Sequence, residues 1–191
     1  MRGKERKNSG ITIPVSCSYR NVSIEKNVVE LTHPDVLIDL GSIAKGYITD
    51  RIVEALKERG VKECLVNARG DIRVSGNYEH VFGVQDPRSS ATICWIKLKN
   101  QSVATSGDYK QFVKTFDKSH ILNQKELSSV TVVAPTLEEA DGFASVIFVT
   151  SKKLREQLIK KHSKLKVLTI VKEQRLKAYN HFEKLMVKEH A

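Results

Sequence analysis

Apolar positions recur at helical spacing from 43 to 59, with Ile48, Ile52, Ala55 and Leu56 on one face and Gly60 at the end, which predicts an amphipathic helix with a glycine stop. A second helical pattern runs from 137 to about 149. It opens on Thr136 with Glu139 three residues on, the spacing of a capping box. A third covers 152–162, where Leu154, Leu158 and Ile159 alternate with lysines. Strand-like runs lie at 64–67, 72–76, 81–84, 91–98, 102–105, 130–134 and 167–171, with Asp86-Pro87-Arg88 as a turn between two of them. Earlier, runs at 11–18 and 22–31 suggest a strand pair turning near Tyr19-Arg20-Asn21, anchored by Ile24, Val28 and Leu31. Helices and strands alternate without a repeat. The pattern therefore implies an α+β fold, with a mixed or antiparallel sheet and packed helices, in a single domain from 11 to 191 after a disordered basic start.

One junction stands out. Val36-Leu37-Ile38 reads as a short buried strand, followed by Asp39, a glycine that permits a sharp turn, and Ser42 placed to cap the helix that follows. Lys45 falls on the first turn of that helix, where free backbone N–H groups attract phosphate. The stretch is neither a Walker loop nor a three-glycine dinucleotide fingerprint. On the residues alone, a solvent-facing lysine and a capping aspartate account for it equally.

Two further positions carry chemistry. Asp141 and Ser145 stand four apart in the second helix, one above the other, and offer two hard oxygen ligands suited to Mg²⁺. The plainer alternative is a carboxylate favoured by the helix dipole. His120 is a candidate proton acceptor, since a neutral imidazole takes a proton near neutral pH, although a lone histidine also serves structure.

With 191 residues, 40% of them hydrophobic and 28% charged, the chain can bury a sizeable core. No apolar run reaches the roughly 18 residues of a membrane helix, and the basic start lacks the apolar core of a signal peptide. As written, the chain is expected in the cytoplasm. Cys17, Cys64 and Cys94 have no paired spacing and read as structural thiols. The net charge of +10 concentrates at the N-terminus and between 152 and 188, as a solvated basic surface does. No zinc finger, aromatic RNA-binding signature or helix-turn-helix accompanies it, so no specific nucleic-acid partner is expected.

Taken in order, Asp39 to Tyr47, Ala104-Thr105-Ser106-Gly107-Asp108-Tyr109, Ser119-His120-Ile121, the run from Ser129 to Thr136, and Glu139-Ala140-Asp141-Gly142-Phe143-Ala144-Ser145 resemble the FAD:protein FMN transferases, the ApbE family. The resemblance extends from about Ile24 to near the C-terminus. It implies a Mg²⁺-dependent enzyme that cleaves FAD, releases AMP and esterifies FMN to a Ser or Thr hydroxyl in a short motif of a partner flavoprotein. By the same resemblance, the metal ligands are Asp141, Ser145 and the carbonyl of Ser42; Asp39, Lys45 and the backbone of Ile121 contact FAD; and His120 accepts the proton. The family usually has Thr where this chain has Ser145.

The sequence also departs from the family. Relatives carry a long additional N-terminal segment that forms one wall of the flavin pocket, and few residues precede Ile24 here. The loop after His120 is shorter, and Arg69 stands where glycine is common. Three readings follow: half of a split transferase completed by another polypeptide or by homo-oligomerisation, a compact transferase, or a non-catalytic flavin-nucleotide-binding relative. Hydrolysis of FAD to FMN and AMP is the activity expected without an acceptor.

Overall fold

The computed structural model describes the backbone of residues 6–8 and 11–13, and residues 18–108, 126–172 and 175–188 in full. The chain divides into two compact units, Met1–Leu40 and Gly41–Ala191.

In the first unit, β1 (Arg6–Asn8) pairs antiparallel with β2 (Ile11–Ile13), so part of the start expected to be disordered is strand. A single 3₁₀ turn over Tyr19–Asn21 follows, capped by the Ser18 hydroxyl, which accepts the Arg20 N–H. Next, β3 (Val22–Glu25) and β4 (Val28–Leu31) form a hairpin of their own. Its turn passes through Lys26 at φ 54°, the left-handed region that closes a tight two-residue loop. The expected pairing of 11–18 with 22–31 is thus replaced by two local hairpins, the lower-entropy solution for neighbouring segments. The anchors predicted to be apolar and inward, Ile24, Val28 and Leu31, are exposed. So are Leu37 and Ile38, and 36–38 is not a strand; only Val36 of that run is buried.

The second unit is layered. Its elements are α1 (Ala44–Glu58), β5 (Cys64–Ala68), β6 (Asp71–Ser75), β7 (His80–Gln85), β8 (Thr92–Leu98), β9 (Ser102–Gly107), β10 (Leu127–Ala134), α2 (Leu137–Val149), α3 (Lys152–Lys161), β11 (Lys166–Val171), β12 (Leu176–Tyr179) and β13 (Met186–Val187). Six strands form one sheet in the order β12-β11-β10-β9-β6-β5, and β13-β8-β7 form another. Every pairing is antiparallel. This is the α+β class, with antiparallel sheets and packed helices, that the sequence implies.

Strand β10 shows how the layers are built. All eight of its residues are buried. Because side chains alternate across a strand, Val130, Val132 and Ala134 join a core with Leu137, Ala140, Ala144 and Ile147 of α2. Val133 instead joins Val84, Ile96, Leu98 and Phe182 in a core beneath the smaller sheet. A strand covered on both faces reads as a continuous apolar run, which is why 130–134 was legible.

The last two strands were not. β12 is an edge strand with exposed Leu176 and Lys177, and its alternation is too short to register. Asn180, just beyond it, donates to the carbonyls of Ile159 and Leu165, satisfying groups that the end of α3 leaves open.

Arg88 joins two strands at one point. Its guanidinium holds the Asp108 carboxylate bidentately at 2.6 and 2.9 Å and donates to the Ser128 hydroxyl at 2.9 Å. The Asp108 N–H also donates to the Ser128 carbonyl at 3.1 Å. Hydrogen bonding to Asp108 raises the Arg88 pKa above its usual value.

Candidate functional site

The site begins where α1 meets α2. Gly46 is buried there, and a Cβ on it would stand 2.7 Å from the carbonyl carbon of Leu137 and 2.8 Å from Cα of Glu138. Backbone cannot yield as a side chain can, so only glycine allows this approach. The face of α1 that is buried carries Gly46, Thr49, Asp50 and Val53. Of the expected apolar stripe, Ile48 and Ile52 are exposed, as is Tyr47, while Ala55 and Leu56 are half-buried.

Each helix supplies a carboxylate to the start of the other. Asp50 of α1 accepts the N–H groups of Leu137 and Glu138 at 3.0 and 2.8 Å, adding to the Thr136 hydroxyl, which accepts from Glu139 as the capping-box spacing predicts. Asp141 of α2 accepts the Gly46 N–H at 3.0 Å. The N-cap of α1 is Ile43, with no side-chain cap. Ser42 therefore does not cap the helix as expected; a carboxylate 95 residues away in sequence satisfies its first turn.

Lys45 extends from the same turn. Its ammonium is paired with the Asp71 carboxylate and stands 3.9 Å from Asp141 Oδ1. Asp71 opens β6, is buried, and accepts the Thr105 N–H at 3.0 Å. Burial pushes the Asp141 carboxyl above the usual aspartate range. Lys45 and the Gly46 N–H pull it back, and the nearby Asp71 charge adds to the rise. One turn further along α2, the Ser145 hydroxyl lies 3.2 Å from the hydroxyl of Ser106 on β9.

Of the residues singled out from the sequence, Lys45, Asp141 and Ser145 are thus brought to one place, where α1, α2 and β9 meet. Ser42 is exposed in the turn just before α1; its neighbour Ile43 packs on Gly142, since a Cβ there would lie 3.6 Å from Ile43 Cδ1. Asp39 is exposed and belongs to the first unit. His120 and Ile121 lie outside the described residues. Sequence reasoning missed Asp71, Asp50 and its partner Arg73. Asp71 follows the turn that holds Arg69, the residue standing where glycine is common; Asp50 shares the 46, 50, 53 spacing of a buried face, a weaker signal.

The donors fit a hard divalent cation. Carboxylate and hydroxyl oxygens are what Mg²⁺ takes. Among the described residues, buried Asp141 has one N–H donor and a lysine at long range, so its charge is under-compensated, and the ammonium of Lys45 already marks a place where the surroundings favour a cation. Among the described residues no group of three or more His, Cys, Asp or Glu side chains could hold a metal ion, so a cation here would rest on Asp141 with hydroxyl and carbonyl oxygens; Cys64 and Cys94 are free thiols. Among the described residues no helix is long and apolar enough to cross a membrane.

Comparison with known proteins bears on the family and the fold. The model of the ApbE family matches residues 8–169. FAD:protein FMN transferases from Klebsiella pneumoniae and Haemophilus influenzae are each 34% identical, over 63% and 65% of this chain and 41% of their own length. The chain therefore spans less than half the length of these relatives. Among solved structures, the ApbE protein from Thermotoga maritima superposes with a TM-score of 0.80 at 30% identity, over 90% of this chain and 60% of that one. The flavin transferase ApbE from Vibrio cholerae gives 0.69 at 25%, over 87% and 57%.

Proposed function

Because this chain belongs to the ApbE family, we propose that it binds FAD and transfers the FMN portion to a Ser or Thr hydroxyl of an acceptor flavoprotein, with AMP as the other product. The observation that carries this reading is the Lys45 ammonium set between two buried carboxylates, Asp71 and Asp141, where α1 and α2 start. A phosphate or pyrophosphate is recognised by an ammonium at a helix start, and carboxylates beside it recruit the cation that phosphoryl chemistry uses.

Asp141 and Ser145, with the Ser42 carbonyl, are the proposed holders of Mg²⁺, and the bound ion supplies charge stabilisation at the phosphate oxygens. Lys45 orients the pyrophosphate and offsets its charge. Asp39 and the Ile121 backbone are proposed flavin-nucleotide contacts. His120 takes the proton from the acceptor hydroxyl as its oxygen bonds to the FMN phosphorus. The bond that breaks joins that phosphorus to the bridging pyrophosphate oxygen, which leaves with AMP. Water in place of the hydroxyl gives FMN and AMP.

The test is incubation with FAD, with and without Mg²⁺, followed by chromatography of AMP and FMN, together with mass spectrometry of a Ser/Thr-containing acceptor peptide. The expected result is Mg²⁺-dependent AMP release and a peptide heavier by one FMN phosphoryl unit, both lost in Asp141→Ala. AMP release that is equal without Mg²⁺ and in Asp141→Ala would sink the assignment of the metal. A folded protein that neither binds nor turns over FAD would sink the flavin reading.

A further inference from the structure

The charges around Lys45 do not balance. Two carboxylates, Asp71 and Asp141, face one ammonium, and among the described residues Lys45 is the cation paired with either. The local sum is one net negative charge. A pyrophosphate brings further negative charge to the same place, so Lys45 alone does not make the site attractive to it.

Asp71 sets this imbalance and cannot swing away from it. One of its oxygens is tied to the Thr105 N–H of β9 and the other to the Lys45 ammonium. Its side chain is 6% exposed, against 41% for Lys45. The buried anion is anchored to the sheet, and the lysine is the more exposed partner. Any phosphate that reaches Lys45 must compete with a carboxylate already in place.

We propose that Asp71 couples the two binding events: it keeps the site net negative, so that a nucleotide pyrophosphate enters together with a divalent cation and is held poorly by Lys45 alone. A divalent cation turns one net negative charge into one net positive charge, and the anion is then attracted. By thermodynamic linkage the nucleotide must tighten the cation by the same factor that the cation tightens the nucleotide. Asp71 is in this sense a positioning residue, acting through Lys45 and the cation. The inference rests on the flavin-nucleotide reading above and specifies how that site is gated.

The test uses calorimetry with ADP, which carries the pyrophosphate without the flavin, and with FAD and Mn²⁺, on the whole chain and on Asp71→Asn. Asparagine keeps an oxygen for the Thr105 N–H and removes the charge. In the unaltered protein Mn²⁺ is expected to tighten ADP by roughly 5- to 150-fold, the range of ordinary couplings. In Asp71→Asn, Mn²⁺ alone binds about tenfold more weakly, cation-free ADP binds more tightly, and the coupling factor shrinks toward one. A merely structural aspartate would weaken both ligands together. An equal coupling factor in the two proteins overturns the proposal.

Lys45→Gln, which leaves the sheet untouched, provides the second reading. It must move Mn²⁺ affinity the opposite way, upward, and abolish cation-free ADP binding; a fall in Mn²⁺ affinity overturns the proposal even if Asp71→Asn does not fold. Binding of ADP without binding of FAD leaves the coupling standing and removes the flavin assignment. Binding of neither, at any Mn²⁺ concentration, removes both.

Discussion

Asp50 and Asp141 are the same residue, equally buried at 6% exposure, each set against the first turn of the other's helix, yet they are committed to different degrees. Asp50 uses both oxygens on backbone N–H groups and has the Arg73 guanidinium at 3.4 Å. Asp141 has one N–H and an ammonium at 3.9 Å that is itself claimed by Asp71. The difference separates a structural carboxylate from an available one. Burial alone does not mark a site; burial with unused acceptor capacity does.

The largest break in that comparison is Asp50→Ala. Two N–H groups at the start of α2 lose their acceptor and a nearly buried arginine loses its partner, so chemical denaturation is expected to show a loss of about 3–4 kcal/mol. Next is Gly46→Ala, where a methyl is driven into the backbone of Leu137 and Glu138. Alanine favours a helix by about 1 kcal/mol, but overpacking outweighs it, and the net loss read from the urea midpoint is about 2 kcal/mol.

Asp141→Asn should go the other way. The folded protein holds the Asp141 carboxyl above its ordinary range through burial, so the folded state keeps this proton to a higher pH than the unfolded chain does. The group's stabilising contribution is present below the ordinary carboxylate range and is lost as pH rises through the raised pKa. Without divalent cations, thermal melts should therefore show Asp141→Asn gaining on the unaltered protein as pH rises above the ordinary carboxylate range. Added Mg²⁺ should close the gap by stabilising only the aspartate form. A gap that narrows as pH rises would contradict the assignment. The smallest effect is expected at Ile52→Ala, on the exposed stripe of α1: a change in stability within about 0.5 kcal/mol, measured in the same denaturation series.

That last case shows where pattern reading stops. For α2 the periodicity, the Thr136–Glu139 spacing and the apolar side at Leu137, Ala140 and Ala144 agree, and the helix covers the residues expected. For α1 the same logic places the helix correctly and misplaces the first half of its inner face, because the buried positions are Gly46, Thr49 and Asp50 before Val53. Close backbone approach and carboxylate capping held that face inside, and neither leaves a hydrophobic signature. The apolar run at 36–38 misleads for the converse reason: short apolar segments carry no periodicity from which to tell a strand from an exposed connection. Lys45, Asp141 and Ser145 were singled out because ordered motifs named them, and the fold sets Lys45 beside Asp141. Asp71 and Arg73 were not, since their roles arise from contacts between β6, β9 and the helices that only the fold creates.

The clamp made by Arg88 on Asp108 and Ser128 bears on how such a chain can vary. It ties together the two strand ends from which residues 109–125 depart and return, so the sheet is closed there whatever lies between. With the ends already joined, doubling the length of the intervening chain changes the closure entropy by only about 0.6 kcal/mol. Insertions and deletions in that interval are therefore nearly invisible to the sheet's stability. The two strand ends are thus held in register by contacts of their own, independently of the chain that joins them.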